Sequence, residues 1–145
     1  MKKTRLHSKY PALAERILSS PEVVRRVVTA AARVAVHGSG LPDPLAAVTM
    51  SAIDSGAPLD PKVRQRLQEL QEESDNSYLD AQDALGPTET LSRDALREFR
   101  RARALAALLA AVDRQEGAQA TEVVYEALAS SEDEKAAFET IAAAV

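Results

Sequence analysis

Residues 104–112 read Ala104-Leu105-Ala106-Ala107-Leu108-Leu109-Ala110-Ala111-Val112, nine apolar residues without a break. The stretch continues a helical pattern whose first half carries Arg93, Arg97, Arg100, Arg101 and Arg103. A helix that is apolar on every face must be enclosed by protein or by lipid. Spanning a bilayer takes roughly 20 apolar residues, so this run is too short and reads as the hub of a helical bundle.

The hub helix is predicted over 88–115, with Leu91, Ala95, Phe99, Ala102, Ala106, Leu109 and Val112 as its main stripe. Before it, Val63, Leu67, Leu70, Ser74, Tyr78, Ala81 and Leu85 recur every three or four residues, the spacing of an amphipathic helix over 61–85. Gly86-Pro87 between the two predicts an antiparallel pair. Shorter helices are predicted over 11–19, 21–37, 44–55, 119–130 and 132–145. In the second of these Val23, Val24, Val27, Val28, Ala31 and Val34 share one face, which is helical spacing and not strand alternation.

The boundaries are marked by local chemistry. Ser20-Pro21, Asp43-Pro44 and Asp60-Pro61 each set an N-cap acceptor before a proline at the first helical position. Ser131-Glu132-Asp133-Glu134 reads as a capping box. Gly38, Gly56, Gly86 and Gly117 follow helical runs, where a left-handed cap favours glycine. The expected fold is therefore an all-α, single-domain bundle of about seven helices around the apolar helix, with 10–145 as the domain and 1–9 as a basic flexible tail. A chain of 145 residues buries enough surface to fold without staples. Alanine supplies 28 residues, so the core is expected to be built largely from small side chains.

Cysteine is absent, which removes disulfides, thiolate metal sites and thiol catalysis. The basic start Lys2-Lys3-Thr4-Arg5 is followed by no apolar stretch of secretory-signal length, and cytoplasmic residence is the expectation. The richness in Ala and Arg suits a bacterium with a GC-rich genome.

Net charge is −4, unevenly spread. Residues 1–37 carry eight basic and two acidic groups, while 115–145 carry one basic and seven acidic groups. Such polarity either orients a partner or is cancelled when packing sets the two ends side by side.

Residue chemistry for catalysis is sparse. His7 falls in the expected tail and His37 in a last helical turn, where its charged form favours the helix dipole. The carboxylates Glu69, Glu72, Glu73, Asp75, Asp80 and Asp83 lack the Glu-x-x-His pattern of bundle metal sites. Asp75 to Asp80 lacks the glycine and glutamate of a calcium loop. No nucleophile elbow and no phosphate-cradling loop is present. The expectation is a chain that is not an enzyme and holds neither metal nor cofactor.

Two charged faces remain. Arg93, Arg97, Arg100 and Arg101 fall on one side of the hub helix, and Glu72, Glu73 and Asp80 belong to the acidic face of the preceding helix. Local pairs of Glu89 with Arg93, Asp94 with Arg97 and Glu98 with Arg101 are expected, with Arg100 and Arg103 free to reach the acidic helix. The reading that follows is a small protein–protein interaction module, such as an inhibitor, an immunity-type antidote or a regulatory adaptor, docking through one of these faces. The alternative is a nucleic-acid-associated regulatory protein using the basic N-terminal third. Against it stand the low isoelectric point, near 5.3, and the scarcity of aromatics for stacking. No helix joins a cationic face to Trp or Phe anchors, so a membrane partner is not expected. Ala104, Ala107 and Ala111 form a small-residue stripe that suits either homodimerisation or packing within the chain.

Overall fold

The computed structural model describes residues 3–113 and 116–145. The described residues form an all-α bundle of eight helices: α1 (Arg5–Lys9), α2 (Pro11–Ser19), α3 (Val24–Ser39), α4 (Asp43–Ser55), α5 (Pro61–Asp83), α6 (Arg93–Ala111), α7 (Gly117–Ala129) and α8 (Glu134–Ala142). A 3-10 turn at Pro21–Val23 leads into α3. The hub reading holds. α6 packs against α3, α5 and α7, and Ala104, Leu105, Ala107 and Leu108 are fully buried. The α5–α6 pair is antiparallel: Arg64 meets Asp113, Asp75 meets Arg103, and the Tyr78 and Phe99 rings lie 5.0 Å apart.

The hub helix is shorter than its predicted 88–115. Ser92 is its N-cap, accepting from the Ala95 N–H at 3.1 Å, because Glu89 turns back to accept from Gly86 N–H at 2.9 Å. Positions 114 and 115 of the prediction lie outside the described residues. Asp60 caps α5 as expected, accepting from Lys62 N–H at 2.8 Å. Ser20 is the N-cap of the 3-10 turn before α3, with Pro21 at its first position, and two other caps shift. Pro42, not Asp43, is the N-cap of α4, and Asp133, not Ser131, caps α8 by accepting from Ala136 N–H. Gly117 opens α7 and does not close the helix before it.

Two glycines at the end of α3 divide the role given to one. Gly40 takes the left-handed cap, at φ 67°. Gly38 stays helical because α3 and α7 approach closely there: an added Cβ would stand 3.1 Å from the Ser130 carbonyl oxygen. Left-handed backbone costs an L-residue about 1–2 kcal/mol. Gly40→Ala is therefore expected to lower stability by about that amount, read from the urea midpoint at unchanged slope.

The main departure concerns the N-terminus. The expected tail of residues 1–9 is, over Arg5–Lys9, a helix with Leu6 fully buried. Thr4 N–H donates to His7 Nδ1 at 2.8 Å, so a histidine closes the capping box. Arg5 Nη2 reaches Glu122 at 2.6 Å and Glu126 at 2.7 Å on α7. Lys9 Nζ bonds Glu134 at 2.7 Å, and the Tyr10 hydroxyl donates to the same carboxylate at 2.9 Å. Tyr10 also stacks on Phe138, with ring centroids 4.4 Å apart. The basic front of the chain is thus folded onto its acidic rear, which cancels much of the charge polarity.

The hydrogen bond from Lys9 holds the Glu134 carboxyl below its ordinary value despite partial desolvation. A depressed carboxylate contributes stability that is present above its unfolded pKa and lost as pH falls through the folded one. The tie between α1 and α8 therefore loosens in acid.

Candidate functional site: the charged faces of α5 and α6

The two charged faces lie on different parts of the surface. None of Arg93, Arg97, Arg100 and Arg101 pairs with Glu72, Glu73 or Asp80 among the described residues. Each set has its own geometry.

Arg97, Arg100 and Arg101 line a cleft of about 660 Å³ between the end of α3, α6 and the α7–α8 junction. Glu98, Glu132 and Asp133 line it too, so three guanidiniums are matched by three carboxylates. Arg100 bonds Glu132 at 3.2 Å, where reach toward the acidic helix was expected. Arg101 donates through Nε to the Ser39 carbonyl at 3.1 Å, satisfying the C-terminal end of α3, and does not take the expected Glu98. Arg97 meets Asp94 at 3.9 Å, as expected, in a pair exposed enough to contribute little. Arg93 is exposed at the first position of α6, and the Glu89 expected to pair with it caps Gly86 instead. The arginine face is in large part internal wiring.

The fifth arginine is the one most deeply committed. Arg103 reaches Asp75 on α5 at 3.2 Å and Glu126 on α7 at 2.9 Å, with its guanidinium 6.0 Å from the Phe99 ring. Glu126 also takes Arg5 and is only 4% exposed. One buried carboxylate therefore ties α1, α6 and α7 together, and Arg103 adds α5. Sequence reasoning missed Glu126. The available signal was a lone acid between Val123, Val124, Ala127 and Leu128, all of them buried.

The acidic face differs. Glu72, Glu73 and Asp80 are exposed on the outside of α5 and make no ion pair among the described residues. They share that side with Glu69, Asn76, Leu79 and Asp83, residues that recur at helical spacing. Glu69 meets Arg66 at 3.4 Å, and Asp75 on the flank turns inward to Arg103. Leu79 is 50% exposed within the stripe, the most open of the three exposed large apolar side chains among the described residues.

The stripe works against its own helix. From residue 69 to residue 83 α5 carries six acids and no base, and its last turn has no basic residue. Acids at a helix C-terminus oppose the dipole, and like charges three or four residues apart repel, together on the order of 1 kcal/mol.

Ala104, Ala107 and Ala111 are 0–4% exposed within the chain, with Gly38 of α3 packed over Ala104. Among the described residues no group of three His, Cys, Asp or Glu side chains is placed to hold a metal, and no helix is long and apolar enough to cross a membrane. The bundle matches no family model, no curated protein and no solved structure.

Proposed function

We propose that this chain is a non-catalytic, cytoplasmic protein-binding module that docks a basic partner surface on the outer face of α5. The observation that carries this reading is the stripe of Glu72, Glu73 and Asp80 around exposed Leu79, charged at a cost to the helix and unused by the fold. Natural sequences break a local rule most often where function requires it. Complementary charge speeds encounter and selects the partner, and Leu79 supplies an apolar contact inside the charged rim. The arginine face draws less support, since Arg100 and Arg101 already have partners within the chain. The nucleic-acid reading also weakens, because Arg5 and Lys9 of the basic third are bound to α7 and α8.

The test compares wild type with Glu72→Lys/Glu73→Lys/Asp80→Lys and with Arg97→Glu/Arg100→Glu/Arg101→Glu in pull-downs from the native host. A stoichiometric partner is expected that is lost with the α5 variant, kept with the α6 variant, and weakened by salt. The α5 variant is expected to melt no lower than wild type, because it relieves repulsion and favours the dipole. A partner kept by the α5 variant, or no partner in wild type, overturns the reading.

A further inference from the structure

A second cleft, of about 640 Å³, opens where α2, α3, α4, the end of α6 and the start of α7 converge. Its walls are apolar, formed chiefly by Ile17, Leu18, Val24, Val28, Ile53 and Val112. Small-molecule sites have this size and this character, an apolar chamber with a few polar groups that fix orientation.

The polar groups at the mouth decide what fits. Arg25, Asp113 and Glu116 stand there. Asp113 is held by Arg64 at 2.9 Å, and Glu116 is likewise engaged. Arg25 has a neutral partner only: its Nη2 donates to the Asp54 backbone carbonyl at 2.5 Å, and no carboxylate pairs with it among the described residues. Its guanidinium therefore has further donors to offer at the edge of an apolar chamber. Gly56 beside it takes the left-handed cap of α4, at φ 71°, and a Cβ there would make only ordinary contact with Arg25 Nη2, at 3.7 Å.

We infer that this cleft is a binding site for a small amphipathic monocarboxylate, with its apolar body on the valine and isoleucine walls and its carboxylate on Arg25. A guanidinium and a carboxylate form charge-assisted, often bidentate hydrogen bonds, and among the described lining residues Arg25 is the one such anchor. A ligand with one anionic end and an apolar remainder is the chemistry that satisfies both parts. The site shares no residue with the α5 stripe, so it stands or falls independently of the docking reading.

The experiment titrates the full chain with decanoate below its micelle concentration, following methyl resonances of Val28 and Ile53. Saturable one-to-one binding is expected at those methyls. Arg25→Met should weaken it about tenfold, the worth of a charged hydrogen bond, and decanol should bind weaker than decanoate by a similar factor. Arg26→Met, on the neighbouring exposed arginine outside the cleft, should leave binding unchanged. Ala52→Phe, which fills the chamber, should abolish it, and a retained melting transition establishes that this variant is folded. The inference is overturned if no saturable shift occurs, if decanol binds as well as decanoate, or if Arg26→Met weakens binding as much as Arg25→Met.

Discussion

Leu105→Ala is expected to cost about 3 kcal/mol of unfolding free energy and on the order of 10 °C in melting temperature. Leu105 is fully buried in a small cluster with Leu59, Leu67 and Leu70, separate from the larger cluster that α3, α7 and the other face of α6 form. That small cluster is the apolar seam between α5 and α6. Truncating a buried leucine removes its transfer free energy and leaves a cavity whose cost depends on how far the surroundings relax. Relaxation is restricted here. On the opposite flank of α6, Ala104, Ala107 and Ala111 are already packed, so the helix has no slack with which to move toward α5. Leu67→Ala, from the other side of the seam, should cost a similar amount. Their sum should exceed the double variant, because both truncations open one cavity. A loss below about 1 kcal/mol for Leu105→Ala, in denaturant titration at constant slope, would mean that the seam collapses freely and that α5 is held by its charges instead.

The hub was legible because nine apolar residues in a row leave a helix no solvent face, and helix periodicity located its neighbours within a few residues. What escaped the sequence depends on contacts across the whole chain. Residues 1–9 look like a tail because Lys3, Arg5 and Lys9 have no acid at local spacing. The partners of Arg5 and Lys9, namely Glu122, Glu126 and Glu134, are more than 100 positions away. Gly38 and Gly40 carry the same local signal, and only the approach of Ser130 shows that the first is a packing glycine. The arginine face was legible as a set of residues but not as wiring, since the carbonyl that takes Arg101 is supplied by the end of another helix. The acidic stripe was readable from composition. That it is unused by the fold required the structure. The apolar cleft left no trace in the sequence, because its walls are ordinary core residues contributed by five separate helices.

Arg103→Met is expected to destabilise the bundle by about 2–3 kcal/mol, more than any other arginine replacement in α6. Methionine keeps much of the apolar stem against Phe99 and removes the charge, so the loss reports the ionic network. Breaking one partner of a buried pair costs about 3–5 kcal/mol, and two features reduce that figure here. Asp75 is 38% exposed and is rehydrated when released, and Glu126 keeps Arg5 at 2.7 Å. Asp75→Asn should therefore cost less than about 1 kcal/mol, in the range of exposed pairs. Glu126→Gln should approach the Arg103 value, since it leaves two guanidiniums sharing a neutral amide. A double-variant cycle of Arg103→Met with Glu126→Gln separates the pair from its surroundings, and a coupling of about 1–2 kcal/mol is expected. Arg103→Met as stable as wild type would show that desolvation of Glu126 offsets the attraction, so that the network selects the packing of α1 onto α7 without strengthening it. In that case hydrogen exchange in Arg5–Lys9 should still accelerate in Glu126→Gln, because α1 is tied to the bundle through the same carboxylate.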